Sequence, residues 1–368
     1  MSGTGPVGVG LIGAGTISRE YLKNLTSFPD IVVHAIGDVF EPVAKERAEE
    51  FGIETWGGVE ATLGHPDVEI VVNLTIPAAH VEIALAAVAA GKHVWTEKPF
   101  SLDRQSGLTL LEAAKTAGKR LGSAPDTFLG AGLQTARRMI ERGDIGVPLT
   151  ALTLMQSPGP ESWHPNPAFL FQEGAGPLFD MGPYYLTTLM QTFGSVNRVA
   201  ALGSTSRATR VIGSGPKAGE EFEVTVPSHV SAIAEFEGGQ SSQSIFSFES
   251  PLGRHGFVEI TGTEGTMALP DPNTFGGEIK IRRAGEDDWT SFPSVGAASS
   301  RGSGVLELAR AIREERPHRA TGELAYHVLD TMVSISESIE QRSFVNVESS
   351  IQPVSALPED WDPTAATL

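Results

Sequence analysis

A parallel-sheet α/β domain followed by a mostly antiparallel, open-sheet α+β domain is the fold class this sequence predicts, on three observations. Short apolar runs alternate with helix-length patterns through residues 1–124. A glycine-rich turn separates the first run from the first helix. Beyond about residue 149, strand-like runs follow one another without intervening helices.

The elements follow in order. Val7 to Ile12 reads as a buried strand, Ile17 to about Leu25 as a helix, and Ile31 to Ile36 as a second strand. Pro42 stands where a helix start tolerates proline and Gly52 where a helix stops, giving a second helix up to Phe51. Glu69 to Leu74 is a third strand. The stretch Ala78 to Ala90 puts Val81, Ala84, Leu85 and Val88 on one face, with Gly91 as its stop. His93 to Glu97 is a fourth strand, Leu108 to Ala117 a helix, and Arg120 to Ser123 a short strand. Strands separated by helices imply right-handed βαβ units. In the second half, Ala232 to Glu237 and Ser241 to Phe248 flank Gly238-Gly239 as a hairpin. Further strands are expected at Gly256 to Thr261, Gly265 to Leu269, Glu278 to Arg283 and Val345 to Val347, and helices at Leu306 to Glu315 and Glu323 to Gln341. Two domains result, 1–124 and 125–368.

Composition narrows the function. The 368 residues include 45 acidic and 27 basic side chains, a net charge of −18, with no long basic run, a poor match for nucleic acid or an anionic membrane. With 40% apolar residues the chain is too hydrophobic for disorder. The absence of cysteine excludes thiol catalysis, Cys-ligated zinc, iron–sulfur clusters and disulfides. The nine histidines include no i, i+4 pair and no H-E-x-x-H, so no protein-bound metal is expected. The first six residues lack the basic region of a signal peptide, and the apolar run at 7–12 is far short of a membrane span, so a cytoplasmic protein is expected.

The first strand ends in Gly13-Ala14-Gly15-Thr16-Ile17-Ser18, a G-x-G-x-x-S turn. Its first glycine permits the turn, and the second lets backbone approach a pyrophosphate at the helix N-terminus. Ser18 replaces the usual small Gly or Ala of the third position. Asp38, 25 residues beyond Gly13 at the end of the second strand, has the spacing of the acid that binds an adenosine ribose. A Gly-Asp pair also reads as an ordinary turn; strand, glycine turn, helix and acid together point to a dinucleotide. Asp38 would repel a 2′-phosphate, and Val39, Phe40 and Glu41 supply no arginine, so NAD is favoured over NADP. Lys45 is the nearest cation to that position.

Three more segments carry a resemblance: Thr75-Ile76-Pro77-Ala78-Ala79-His80, Ala90-Gly91-Lys92-His93-Val94 and Glu97-Lys98-Pro99. With Gly262-Thr263-Glu264-Gly265-Thr266 and Gly322-Glu323-Leu324-Ala325-Tyr326-His327, they resemble the glucose–fructose oxidoreductase, inositol dehydrogenase and rhizopine-catabolism family, Gfo/Idh/MocA, over nearly the whole chain. The resemblance implies a Rossmann domain, then an α+β domain whose open sheet often forms the oligomer interface, here a homodimer or homotetramer. It implies that Lys98 lies between nicotinamide ribose and substrate, that Glu97 orients the ribose, and that a cis peptide precedes Pro99. Thr75, Ile76 and His80 would line the cofactor groove; in many members proline directly follows the threonine, whereas here Ile76 intervenes. Without the resemblance Lys98 would read as a solvated loop lysine.

Many members carry D-x-G-x-H, with the histidine moving the proton. Asp180-Met181-Gly182-Pro183-Tyr184 puts tyrosine in that place, as in some sugar oxidoreductases and dihydrodiol dehydrogenases of the family. Free tyrosine ionises near about 10, too high for a good base at neutral pH, so it needs a cation, for which Lys98 is the candidate. Tyr184 is then the general acid/base, with Asp180 orienting a substrate hydroxyl or Lys98; the residues alone equally allow Tyr184-Tyr185 as core aromatics, the reading kept for Tyr185. Pro160, Pro165 and Pro167 stiffen a loop carrying Trp163 and His164, either a substrate loop or a surface loop with one anchored aromatic. His164 competes with Tyr184 as proton carrier, and Asp126 is a further substrate-binding candidate. The expected activity is NAD-dependent interconversion of a secondary alcohol and a ketone on a sugar, glycoside or cyclitol. The alternatives are an aldose-type oxidoreductase with tightly held NADP, a dihydrodiol dehydrogenase, or a catalytically silent NAD-binding regulator.

Overall fold

The computed structural model describes residues 4–352 and 354–368. The chain divides into two compact units. The first runs to Ala131 and takes in Gly296–Leu329 and Leu357–Leu368; the second comprises Gly132–Val295 and Asp330–Ala356.

In the first unit, β1 (Val7–Ile12), β2 (Ile31–Gly37), β3 (Thr55–Gly57), β4 (Ile70–Asn73), β5 (His93–Thr96) and β6 (Leu121–Ser123) form one parallel sheet in the order β3-β2-β1-β4-β5-β6. The interleaved helices are α1 (Thr16–Leu25), α2 (Glu41–Phe51), α3 (Val59–Leu63), α4 (His80–Ala89) and α5 (Arg104–Thr116). The helix stops fall where the sequence put them, with Gly52 in the left-handed region at φ 69° and Gly91 at φ 76°. The strand order reverses between β1 and β4, so their carboxyl ends open a crevice there. β3 and α3 escaped the sequence reading, because three and five residues are too short to show a period.

The second unit contains α6 (Ala131–Glu141, its first residue counted with the first unit), β7 (Pro148–Gln156), α7 (Gly176–Phe193), β8 (Val196–Ser204), β9 (Thr209–Val211), β10 (Glu221–Glu223), β11 (His229–Phe236), β12 (Ser241–Ser247), β13 (Arg254–Gly262), β14 (Gly265–Ala268), β15 (Ile279–Arg283) and β16 (Thr290–Phe292). α8 (Ser303–Arg313) returns to the first unit, α9 (Gly322–Gln341) is divided between the two at Leu329, and β17 (Val345–Asn346) ends the large sheet. That sheet has nine strands in the order β16-β15-β14-β13-β7-β12-β11-β8-β17, and only the β7–β12 pair is parallel. Helix α7 covers one face, with Tyr185 against Phe246 and Phe193 against Phe236. The alternate residues Leu152, Leu154, Leu202, Ile233, Ile245 and Phe257 lie on the other face, half-buried or exposed.

The units differ from a single cut at residue 124, because late segments pack back on the first sheet. Arg310 of α8 meets Asp30 at 2.8 Å, both buried, and the backbone N–H groups of Thr367 and Leu368 donate to the same carboxylate. Gly304 of α8 lies against the indole of Trp95: a Cβ there would stand 2.0 Å from Cη2. Trp95 is fully buried and its Nε1 is committed to Tyr21, so the ring has little freedom to move aside. Gly304→Ala is therefore expected to destabilise the protein by about 1–3 kcal/mol through overpacking. Urea denaturation measures this, and undiminished stability would show that the indole yields.

Candidate active site

The glycine turn is built by contact with the neighbouring strand ends. Gly13 has φ 100°, and a Cβ there would lie 2.6 Å from the Leu74 carbonyl and 2.9 Å from Thr75 N, so both conformation and proximity demand glycine. Its N–H donates to the Gly37 carbonyl at 2.8 Å. Asp38 then closes the turn: Oδ2 accepts from Ala14 N–H at 2.7 Å and Oδ1 from Phe40 N–H at 2.8 Å. Each carboxylate oxygen keeps a lone pair for a ribose hydroxyl. Gly15 caps α1, with open space where its Cβ would be and no side chain capping the first turn of Thr16 and Ile17. This cradle fits a pyrophosphate, whose charge would meet backbone N–H groups and the positive end of the helix. Ser18 is buried and donates to the Gly15 carbonyl at 2.6 Å, so a serine satisfies the packing position by bonding inward.

Val39 and Ile76 are 78% and 70% exposed, apolar surfaces beside the turn. Lys45 is engaged with Glu49 at 3.7 Å and lies 5.6 Å over the Trp56 ring. Arg47, in sequence one charge among several on a helix, is buried, donates to Ser18 Oγ at 3.1 Å and pairs with Glu50.

Glu97 and Lys98 follow β5 on the same carboxyl edge as Gly13, Asp38 and Thr75. Both side chains are half-buried and the Lys98–Pro99 peptide is cis. Glu97 Oε2 accepts from Lys98 N–H at 3.0 Å and Oε1 from the Tyr21 hydroxyl at 2.8 Å. Burial first, and then the charges of Glu97 and Asp126, push the Tyr21 phenol well above its ordinary value, so it stays protonated and donates.

Two expectations need correction. His80 does not present its ring to the groove: it is 1% exposed, with Nδ1 2.8 Å from the Pro99 carbonyl and Nε2 3.0 Å from the Thr75 carbonyl. Burial lowers its pKa despite those carbonyls, so the imidazole acts as a neutral strut between the two loops. Asp126 is fully buried rather than open to substrate. Its carboxylate accepts from Gly302 N–H at 2.9 Å and Gly304 N–H at 3.2 Å, and lies 3.3 Å from Arg301. It caps the N-terminus of α8, where backbone donors favour an acid, although burial pushes its pKa up.

In the second unit, Asp180 and Tyr184 lie four residues apart on one face of α7, Asp180 half-buried and Tyr184 6% exposed. Tyr185 is core, as expected: it is fully buried and its hydroxyl accepts from Gly256 N–H at 2.8 Å. On the proline-rich loop, Trp163 is 68% exposed and His164 half-buried. His164 packs edge-on at 5.5 Å against both Trp163 and Phe169, so Phe169 joins the two residues expected on this loop. His164 Nδ1 accepts from Asn166 N–H at 3.0 Å, which leaves Nε2 to carry the proton of the neutral ring.

Arg210 of β9 anchors this loop. Its buried guanidinium pairs with Glu161, donates to the Pro158 and Phe248 carbonyls, meets Glu249 at 2.7 Å and lies 4.8 Å over the Phe171 ring. Among the described residues, His34, His65 and Asp67 form a group whose ligand-type atoms lie within 4.8 Å of one another. His65 Nδ1 accepts from Asp67 N–H at 3.3 Å, and Lys92, held on the His65 and Val68 carbonyls, supplies positive charge to Asp67.

A parallel sheet with a glycine turn and ribose acid at its switch point, in a chain that also carries a large mixed sheet, defines a dinucleotide-binding protein of two units. The family models agree: residues 7–124 match the Gfo/Idh/MocA oxidoreductase family model with its NAD-binding Rossmann fold, and residues 133–268 match the Gfo/Idh/MocA C-terminal domain. The chain belongs to the Gfo/Idh/MocA family. It is 27% identical to inositol 2-dehydrogenase 3 of Saccharopolyspora erythraea over 290 residues, 77% of this chain and 79% of that protein. Against 1,5-anhydro-D-fructose reductase of Ensifer adhaerens it is 28% identical over 264 residues, 70% and 74% of the two chains. Among solved structures, an NAD-binding oxidoreductase from Klebsiella pneumoniae superposes with a TM-score of 0.83 at 23% identity, covering 94% of this chain and all of that one. A levoglucosan dehydrogenase in complex with NADH and L-sorbose gives 0.80 at 22% identity, covering 93% and 99%.

The clamp under the aromatic loop has a pH signature. Burial opposes ionisation of Glu249, but hydrogen bonds from Ser206, Ser228 and Arg210, with the arginine charge, hold its pKa down to about 2. A depressed folded pKa contributes stability above the unfolded value near about 4.3 and loses it as pH falls. Wild-type stability should therefore drop by about 2–3 kcal/mol from this group between roughly pH 5 and pH 2. Glu249→Gln should be less stable at neutral pH and flatter across that window, read by urea denaturation as a function of pH.

Proposed function

We propose that this protein is an NAD-dependent dehydrogenase that interconverts a secondary alcohol and a ketone on a sugar, glycoside or cyclitol. One observation carries the reading: the glycine turn, Asp38, Thr75 and the Glu97-Lys98 pair share the carboxyl edge of one parallel sheet. NAD rather than NADP is supported by the Asp38 carboxylate and by the engagement of Arg47 with Glu50 and Lys45 with Glu49. The polyhydroxylated substrate class is supported by the names of the relatives and by the exposed rings of Trp163 and Phe169 with His164, apolar faces suited to a sugar ring.

Bound NAD supplies the hydride acceptor and donor. Gly13, Gly15, Thr16 and Ile17 would hold its pyrophosphate, Asp38 its adenosine ribose, Val39 and Ile76 the flat adenine side, and Thr75 and Glu97 the nicotinamide end. Lys98 Nζ hydrogen-bonds the reacting oxygen and favours its developing negative charge. Tyr184 as the phenolate takes the hydroxyl proton in oxidation and as the phenol returns it in reduction, Asp180 orients a neighbouring substrate hydroxyl, and Trp163 and His164 bind the ring. No helix among the described residues is long and apolar enough to cross a membrane, and the cytoplasm is where free dinucleotide would reach the cradle. The apolar face of the nine-stranded sheet supports self-association as a homodimer or homotetramer, with no role for nucleic acid.

Screening sugars, glycosides and cyclitols for absorbance of reduced NAD tests the activity directly. Lys98→Ala should abolish turnover of the best substrate while NADH affinity changes far less. Tyr184→Phe should cost about 10²-fold or more in kcat. The double variant should be little worse than the weaker single, as expected of residues serving one step. Near-normal turnover by Lys98→Ala would remove the mechanism, and a loss confined to His164→Ala would move the proton role there. Light scattering should report a dimer or tetramer that Ile245→Arg dissociates; a monomeric wild type would refute the assembly.

A further inference from the structure

The Glu97-Lys98 pair is tied to the helix that forms the phosphate cradle, and the tie is a hydroxyl. Tyr21, on the buried side of α1, is fully enclosed. Its Oη accepts from Trp95 Nε1 at 3.1 Å and donates to Glu97 Oε1 at 2.8 Å. The other carboxylate oxygen, Oε2, accepts from Lys98 N–H at 3.0 Å. Packing alone does not need that oxygen, since a phenylalanine would fill nearly the same volume. What the hydroxyl adds is orientation. A half-buried glutamate on a loop has several rotamers open to it, and fixing one in advance removes that cost from ligand binding. Each oxygen has one protein donor and retains acceptor capacity for ligand hydroxyls.

We propose that Tyr21 is a positioning residue for the cofactor: its hydroxyl holds the Glu97 carboxylate in the orientation that receives the nicotinamide ribose, and links that carboxylate to the helix whose N-terminus takes the pyrophosphate. The two ends of the dinucleotide site are thereby braced through Tyr21 and Trp95 rather than set independently by two loops. This inference rests on the reading of Glu97 as a cofactor-contacting residue.

The test is NADH binding followed by its fluorescence, with steady-state kinetics beside it. Tyr21→Phe should weaken NADH binding about tenfold, the scale of one hydrogen bond to a charged group. It should raise KM for NAD in proportion while the KM of the sugar-like substrate stays within about twofold. Glu97→Gln should weaken NADH binding at least as much. The double variant should bind no worse than Glu97→Gln alone, because the phenol acts through the carboxylate. If Glu97→Gln weakens binding while Tyr21→Phe binds as wild type, or if the two losses add, Tyr21 is only a core residue and the proposal fails. If Glu97→Gln itself binds and turns over normally, the reading of Glu97 fails instead. Should Tyr21→Phe not fold, Tyr21→His, which keeps a ring donor, takes its place in the same cycle: affinity close to wild type that falls to the Glu97→Gln level in the double variant supports the role, and additive losses overturn it.

Discussion

Everything at the carboxyl edge of the parallel sheet depends on how closely the turn after β1 approaches the end of β4. Gly13 stands where no side chain fits, against the Leu74 carbonyl and Thr75 N. That contact places the start of α1 over the crevice, and Asp38 then pins the turn through Ala14 N–H. From there the restraints propagate by hydrogen bonds. His80 braces the Thr75 loop against Pro99, and Tyr21 braces α1 against Glu97. The cradle, the ribose acid and the lysine are consequences of one steric constraint elaborated by the half-buried Asp38 and the buried His80 and Tyr21.

How much of this the sequence disclosed depends on the range of the interaction. The parallel domain was legible because its signals are local: strand runs, amphipathic helices, glycine stops and a turn with its acid 25 residues on. The return of α8 was not legible, because nothing near Arg310 announces a partner at Asp30, 280 residues away. Asp126 misled for the same reason. A carboxylate after a strand looks like a pocket acid until the N–H groups of Gly302 and Gly304, 176 and 178 residues later, are seen to consume it. Tyr21 was invisible in the opposite sense, since a tyrosine in the buried stripe of a helix reads as core, and only the position of its hydroxyl distinguishes a brace from filler.

The second unit shows the same division. Three prolines announced a stiff loop at Trp163 and His164, but not what holds it. The holder is Arg210, on a short hairpin whose three-residue strands β9 and β10 carry too few residues to show alternation. A buried guanidinium would be expensive to desolvate alone. Here Glu161, Glu249, two carbonyls and the Phe171 face share it, so the charge is matched from several sides and the loop is fixed at its base. Exposed rings at a loop tip then keep the accessible surface a ligand needs without the disorder such a loop would otherwise have.

The net charge of −18 bears on how such a protein binds an anionic dinucleotide. Summed over the surface it would repel, but repulsion between solvent-exposed charges is screened beyond roughly 8 Å at physiological salt. Inside that distance the ligand phosphates would meet the uncapped first turn of α1 and the open space beside Gly15, while Arg47 is already matched by Glu50. A helix terminus contributes only about half a unit of positive charge, but it does so at contact range and without a flexible side chain to order. Short-range backbone donors therefore outweigh a long-range surface charge, and an acidic chain needs no basic patch to hold a pyrophosphate.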